Sequence, residues 1–290
     1  MKCPDDVAPA LCDTQSEPDH RRIAIDRVGV KNLRFPVRIG LGSGEPQSTI
    51  ATVQLTVDLP HHFKGTHMSR FLEVLQDHGP VLQPAEIEHL LRTLIKRLDS
   101  ERAHLEMEFP FFLEKQAPVT GAPGLLDYTG HFAATADVDR TDLVTTVVVG
   151  VTTLCPCSKA ISSSGAHNQR GQVTFTLRAK KDPIPLAEMV ALVERSASSE
   201  LYSVLKRPDE KAVTERAYAN PVFVEDLVRN IAAEVNSDSR VAWWRVEAEN
   251  FESIHNHNAY ADLRTELGIE PVREGPFSWY TNPVIMAALT

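Results

Sequence analysis

Long apolar runs are missing from this chain of 290 residues. None approaches the roughly 18 consecutive apolar residues that a bilayer-crossing helix requires, so no membrane span is expected. A basic excess is missing as well. Thirty Lys and Arg face thirty-nine Asp and Glu, a formal charge of −9, which is the reverse of the balance in a dedicated nucleic-acid binder. A polyanionic small molecule is not excluded, because a small basic pocket acts locally even in an acidic protein. Cysteine is scarce: Cys3, Cys12, Cys155 and Cys157 are the whole complement. The first two stand in a polar, acidic start that does not read as a signal peptide, and the other two flank a single proline. That excludes a disulfide scaffold and places the protein in a reducing compartment, the cytoplasm, where clustered thiols point to metal or catalysis.

What is present is a globular composition, 42% hydrophobic and 24% charged, with room for two modest domains or one large one. Hydrophobic periodicity divides the chain into two halves of the same plan. In the first, a strand over 30–41 precedes Val53, Leu55, Val57 and Leu59 alternating with polar residues. Helices follow from about Ser69 and from Pro84, and then strands around Leu105–Phe109 and Phe132–Val138. In the second, a β-branched strand over 143–154 and the alternation Val173, Phe175, Leu177 precede a helix through Leu186–Val193. Another helix opens at Asn220–Pro221, a strand carries Ala242–Ala248, and a last strand starts near His255. Both halves read β-β-α-α-β-β, which favours antiparallel sheet with helices on one face, an α+β class. The expected divisions are a loose tail over 1–26, a first module over 27–138, a second over 139–265 and an extension over 266–290. Four strands per half cannot close on themselves, so association through open sheet edges is expected.

Chemistry concentrates in a few segments. Leu154-Cys155-Pro156-Cys157-Ser158-Lys159 is followed by Gly165-Ala166-His167-Asn168-Gln169-Arg170-Gly171, and thiolate with imidazole suits zinc or a similar ion with an open coordination position. Two inert cysteines and a turn histidine are the plain alternative. His255 and His257, on an extended strand, would share one face and serve as metal ligands, as an acid–base pair, or simply as surface groups. Glu210 reads as a surface charge, and Glu225 as an acid favoured by a helix N-terminus. The stretch from Pro60 to Arg70 packs three histidines with Lys64 and Arg70 just before a helix, a place where backbone N–H groups and cations could hold phosphate.

Taken in order, DLP-HHFKGTHMSRF, TTLCPCSKAIS, GAHNQRG, LKRPDEK, NPVFVED and ESIHNHNAYA resemble the signature blocks of type IB GTP cyclohydrolases from about Val28 to Leu263. The resemblance implies the tunnelling fold with two tandem modules, a homotetramer with sites at subunit interfaces, and conversion of GTP and water to 7,8-dihydroneopterin triphosphate and formate. It implies one divalent ion (zinc, manganese or iron) held by Cys155, His167 and Glu210, with Cys157 as the catalytic thiol, although the two thiols could exchange roles. His255 and His257 match the active-site histidine pair, and Glu225 matches the glutamate that grips the amidine edge of the base. Lys64, His67 and Arg70 become candidates for the triphosphate, reaching it from a neighbouring subunit. Two rivals remain: a nitrile reductase of the same fold, using NADPH and a lone cysteine without metal, and a non-catalytic protein with a structural metal site.

Overall fold

The computed structural model describes residues 15, 17–42 and 44–265. Cys3, Cys12, the extension over 266–290 and most of the tail over 1–26 lie outside the described residues. The elements run β1 (Ile25–Ile39), β2 (Gln47–Leu59), α1 (Met68–His78), α2 (Pro84–Leu98), β3 (Ala103–Gln116), β4 (Pro123–Ala136) and β5 (Thr141–Leu154). They continue α3 (Pro156–Ile161), β6 (Asn168–Ala179), α4 (Leu186–Ser196), β7 (Ser199–Glu200), α5 (Arg207–Ala219), α6 (Val224–Asn236), β8 (Val241–Asn250) and β9 (Ala259–Arg264).

The long strands join one sheet in the order β1-β2-β3-β4-β5-β6-β8-β9, with β7 beside β5. Every pairing is antiparallel. The expected α+β class with antiparallel sheet is what the chain adopts, and β4 pairs directly with β5 from Ala136↔Thr141 to Thr129↔Val148, so the two halves share a continuous ladder. Alternation along the strands sends Val53, Leu55 and Val57, Leu105, Met107 and Phe109, Val147, Val149 and Val151, and Val173 and Phe175 into one core cluster. Into the same cluster α1 and α2 bury Phe71, Leu75, Ile87, Leu90, Leu91 and Leu94, and α4 and α6 bury Met189, Val190, Val193, Leu227, Val228, Ile231 and Val235. These spacings of three and four put the apolar residues on one stripe of each helix, and burying that stripe stabilises helix and sheet together.

Three sequence expectations change. Between the two helices expected in the second half stands a third, α5, which opens with Arg207, Pro208, Asp209 and Glu210 and buries only Asp209 and Ala217; a helix with so little apolar surface leaves no periodic trace. The next helix begins at Val224 rather than at Asn220–Pro221. Asn220 instead ends α5, with its side-chain amide donating to the Ala197 carbonyl at 2.9 Å. The last strand starts at Ala259, not near His255.

Candidate active site at one end of the sheet

The register sorts the loops between two ends of the sheet. Val57 pairs with Ala103, Ala103 with Ala136, and Ala136 with Thr141, which marks one end. From Thr141, β5 runs to the other end, where Leu154 pairs with Asn168, Gly171 with Asn250, and Asn250 with Ala259. The segments 155–167 and 251–258 therefore leave the sheet side by side, and the Phe251 N–H donates to the Arg170 carbonyl at 2.9 Å.

Cys155 is the N-cap of the short α3, half-buried, with its Sγ accepting from the Ser158 N–H at 3.4 Å. Gly165 (φ 83°) takes the left-handed conformation that glycine tolerates best in the turn that returns the chain toward β5. The Cys155 N–H then donates to the His167 carbonyl at 3.1 Å, and the His167 N–H donates to Ser158 Oγ at 3.2 Å. The backbones of Cys155 and His167 are thus joined directly and again through Ser158. Cys157 lies exposed in the first turn of α3.

Two helix starts are fastened to the same end. The Val222 N–H donates to the Leu154 carbonyl at 3.1 Å, which sets the first turn of α6 beside the Cys155 turn. Glu225, in that first turn, is exposed and has no hydrogen-bond or ion-pair partner among the described residues. Asp209 of α5 is fully buried. Its carboxylate accepts from the Val119 and Thr120 N–H groups at 2.9 Å, the Thr120 hydroxyl at 2.7 Å and the Lys206 N–H at 2.9 Å. Burial works against that charge, but the hydrogen bonds from Thr120, Lys206 and Val119 outweigh it and hold the carboxyl below its ordinary range. The start of α5 is thereby clamped to the tip of the β3–β4 hairpin. Glu210, next in sequence, points outward with its carboxylate 3.8 Å from Arg207.

Among the described residues no three Cys, His, Asp or Glu side chains converge closely enough to hold a metal ion. Cys155 and His167 are brought together, but Glu210 does not complete a three-donor set with them. By chemistry a thiol, an imidazole and a carboxylate would suit a divalent ion of intermediate softness; Cys155 and His167 are backbone neighbours, and Glu210 stands on α5. His255 and His257 do not occupy an extended strand: residues 253–257 form bends, rich in the Ser and Asn that favour turns. Their rings nevertheless stack, with centroids 5.2 Å apart and planes at 22°.

The basic segment is elsewhere. Leu59 pairs with Ile25 at the opposite end of the sheet, so the loop from Pro60 onward leaves the end remote from Cys155. There Lys64 is ion-paired with Glu17, His67 is the N-cap of α1, and Arg70 is exposed on its first turn. One chain does not bring Lys64, His67 and Arg70 to the thiol–imidazole pair. Sequence reasoning missed Ser158, Gln169 and Asp209. The first two fall within the Cys- and His-bearing motifs, where period-two spacing from His167 to Gln169 was the available signal; nothing in sequence separates Asp209 from Glu210.

Residues 11–261 match the family described as type I GTP cyclohydrolase folE2. The chain belongs to that GTP cyclohydrolase family. The FolE2 name takes the place of the type IB designation read from the motifs. The GTP cyclohydrolase FolE2 of Akkermansia muciniphila is 58% identical over 259 residues, covering 89% of this chain and 98% of its own. Its counterpart in Magnetococcus marinus is 52% identical over 251 residues, covering 87% and 94%. Among solved structures, the uricase of Arthrobacter globiformis superposes with a TM-score of 0.51 at 8% identity, covering 84% of this chain and 94% of its own. That likeness is one of fold alone. As a member of the FolE2 family the protein is a GTP cyclohydrolase, a hydrolase of pterin and folate biosynthesis.

Proposed function

We propose that this cyclohydrolase opens the guanine ring of GTP at C8, yielding 7,8-dihydroneopterin triphosphate and formate, at the sheet end where Cys155 and His167 meet. The observation that carries the reading is the bond from the Cys155 N–H to the His167 carbonyl, which makes a cysteine and a histidine backbone neighbours at the sheet end that also holds two helix starts and a histidine pair. Cys155 and His167 would hold one zinc, manganese or iron ion, with Glu210 as the third donor and Cys157 as the catalytic thiol. When bound, such an ion lowers the pKa of water toward neutrality and polarises the base.

The chain's own residues do the rest. Glu225, unpartnered in the first turn of α6, accepts two parallel N–H bonds from the amidine edge of guanine, an arrangement both strong and directional. Protonation at N7 makes C8 more electrophilic, and Cys157, His255 or His257 delivers that proton. Lys64, His67 and Arg70 meet the triphosphate from another copy of the chain, since the sheet separates them from the thiol–imidazole end of their own. This reading supports a homotetramer, with the edges β1 and β9 as the places where copies join. The order of elements, strand pairs flanking helices on either side of β4–β5, supports a tunnelling fold with modules over 27–138 and 139–265. Free thiols and an intracellular nucleotide substrate support a cytoplasmic location.

The test is direct. Protein loaded with each divalent ion in turn is incubated with GTP, and formate and a fluorescent oxidised pterin are measured. Both products are expected, and both should vanish on chelation and return with the ion. Full turnover by chelator-stripped protein would remove the ion from the reaction, and oxidation of NADPH in place of formate release would mark a reductase.

A further inference from the structure

The ring of His167 is held at one nitrogen and open at the other. Nδ1 lies 3.0 Å from Gln169 Oε1, and the Gln169 amide Nε2 donates to Thr153 Oγ1 at 2.9 Å. His167 and Gln169 stand two residues apart where β6 begins, so they share a face, and Thr153 is the cross-strand partner of Gln169. Gln169 is 8% exposed and Thr153 is fully buried, so water does not compete for this chain of bonds. The amide nitrogen faces Thr153 on β5 and the amide oxygen faces the imidazole. An amide oxygen only accepts, so the proton of the neutral ring resides on Nδ1 and Nε2 keeps its lone pair. The backbone of His167 is tied on both sides, to Cys155 and Ser158, and the bond between Nδ1 and Gln169 holds the ring itself.

We propose that Gln169 is a positioning residue of the cyclohydrolase site: it holds His167 as the Nδ1–H tautomer, oriented by Thr153, and presents Nε2 as the open lone pair for a divalent ion. The inference rests on the reading of His167 as a ligand and deepens it. Neither Gln169 nor Thr153 touches substrate; both act through the imidazole. Ligating histidines usually need such an outer partner, whose loss costs about 10–100-fold in metal affinity.

Two readouts on the full-length protein test this. Long-range proton–nitrogen correlation spectra of metal-free protein labelled at histidine report which His167 nitrogen carries the proton. Competition with a chromophoric chelator gives zinc affinity. Wild type is expected to show Nδ1 protonated. Gln169→Leu should give a mixture of tautomers and about 10–100-fold weaker zinc binding. Gln169→Glu, whose carboxylate also accepts, should retain the tautomer and the affinity. Thr153→Val, which removes the anchor and leaves the amide, should loosen the tautomer with a smaller loss. Far-ultraviolet dichroism of each variant separates these effects from misfolding; should Gln169→Leu fail to fold, Thr153→Val and the wild-type spectrum carry the test. Protonation of wild-type His167 on Nε2, or a tautomer indifferent to Gln169→Leu, would overturn the proposal. A tautomer change with unaltered zinc affinity would uphold the positioning by Gln169 and overturn the reading of His167 as a ligand.

Discussion

Glu225 has no hydrogen-bond or ion-pair partner among the described residues, which in the proposed reading leaves its carboxylate for the base. As an exposed residue in the first turn of α6 it can change without disturbing the core, while an anionic acceptor is lost to the ligand. Glu225→Gln is expected to weaken GTP binding by roughly 10–100-fold, since a hydrogen bond to a charged group contributes about 1.5–3 kcal/mol. The melting temperature should stay unchanged, and isothermal titration against a slowly converted GTP analogue would measure the affinity. Histidines outside the site report on stability instead. Burial pulls His78, His104 and His131 below their ordinary value of 6.5; in His104 it outweighs the bond of Nε2 to Asp58 at 3.0 Å. Near pH 6.5 the unfolded chain takes up protons at these rings while the folded protein resists. Their contribution is therefore complete above that pH and declines as pH falls through it. Glu108 acts oppositely: burial raises its carboxyl above 4.5, so its share is complete at lower pH and declines as pH rises through the raised value. Thermal unfolding between about pH 8 and 5.5 should show a falling midpoint, and His104→Gln should flatten the slope.

Helices α2 and α5 illustrate two ways of holding an element. The first buries Ile87, Leu90, Leu91, Leu94 and Leu98, carries Pro84 in its first turn, and was readable from spacing alone. Leu91→Ala should cost about 2–5 kcal/mol in denaturant unfolding, because a fully buried leucine leaves a cavity behind. The second is held by one buried carboxylate bonded to Val119, Thr120 and Lys206, which no periodicity announces. Asp209→Asn keeps the size but replaces an acceptor of four bonds with a group that also donates, so it should lower the melting temperature and loosen the start of α5. Glu210→Gln, on the exposed side of the same turn, should leave the melting temperature alone and weaken retention of a divalent ion. Calorimetry and chelator competition on both variants separate the clamp from the ligand. The His255–His257 segment shows the same limit from another side: a period-two motif reads as strand, yet Ser253, Asn256 and Asn258 favour bends, and stacking of the rings replaces the shared face of a strand.

At the scale of the molecule, the sheet puts the thiol–imidazole pair, both acidic helix starts and the histidine pair at one end, and the Lys64–Arg70 segment at the other. If both groups serve one triphosphate, a site is completed only between copies. Arg70→Ala and Glu225→Gln variants, each weak alone, should then regain part of the lost turnover when mixed and reassembled, because hybrid assemblies contain sites with neither defect. No regain on mixing would return the phosphate role to residues at the thiol–imidazole end.

Local chemistry decided much of this before any folding. Alternation every second residue and apolar stripes at three and four produced the strands and the four core helices, because those periods are properties of the backbone itself. The motifs likewise pointed to the cyclohydrolase family, since a run of thiols, imidazoles and acids at fixed spacing is a property of the sequence itself. Tertiary structure decided the rest: that Asp209 turns inward while Glu210 turns out, that Gln169 orients His167, and that the basic loop faces away from the thiols. Those outcomes depend on which strand lies beside which, and on buried hydrogen bonds between residues up to ninety positions apart, a separation that no local pattern encodes.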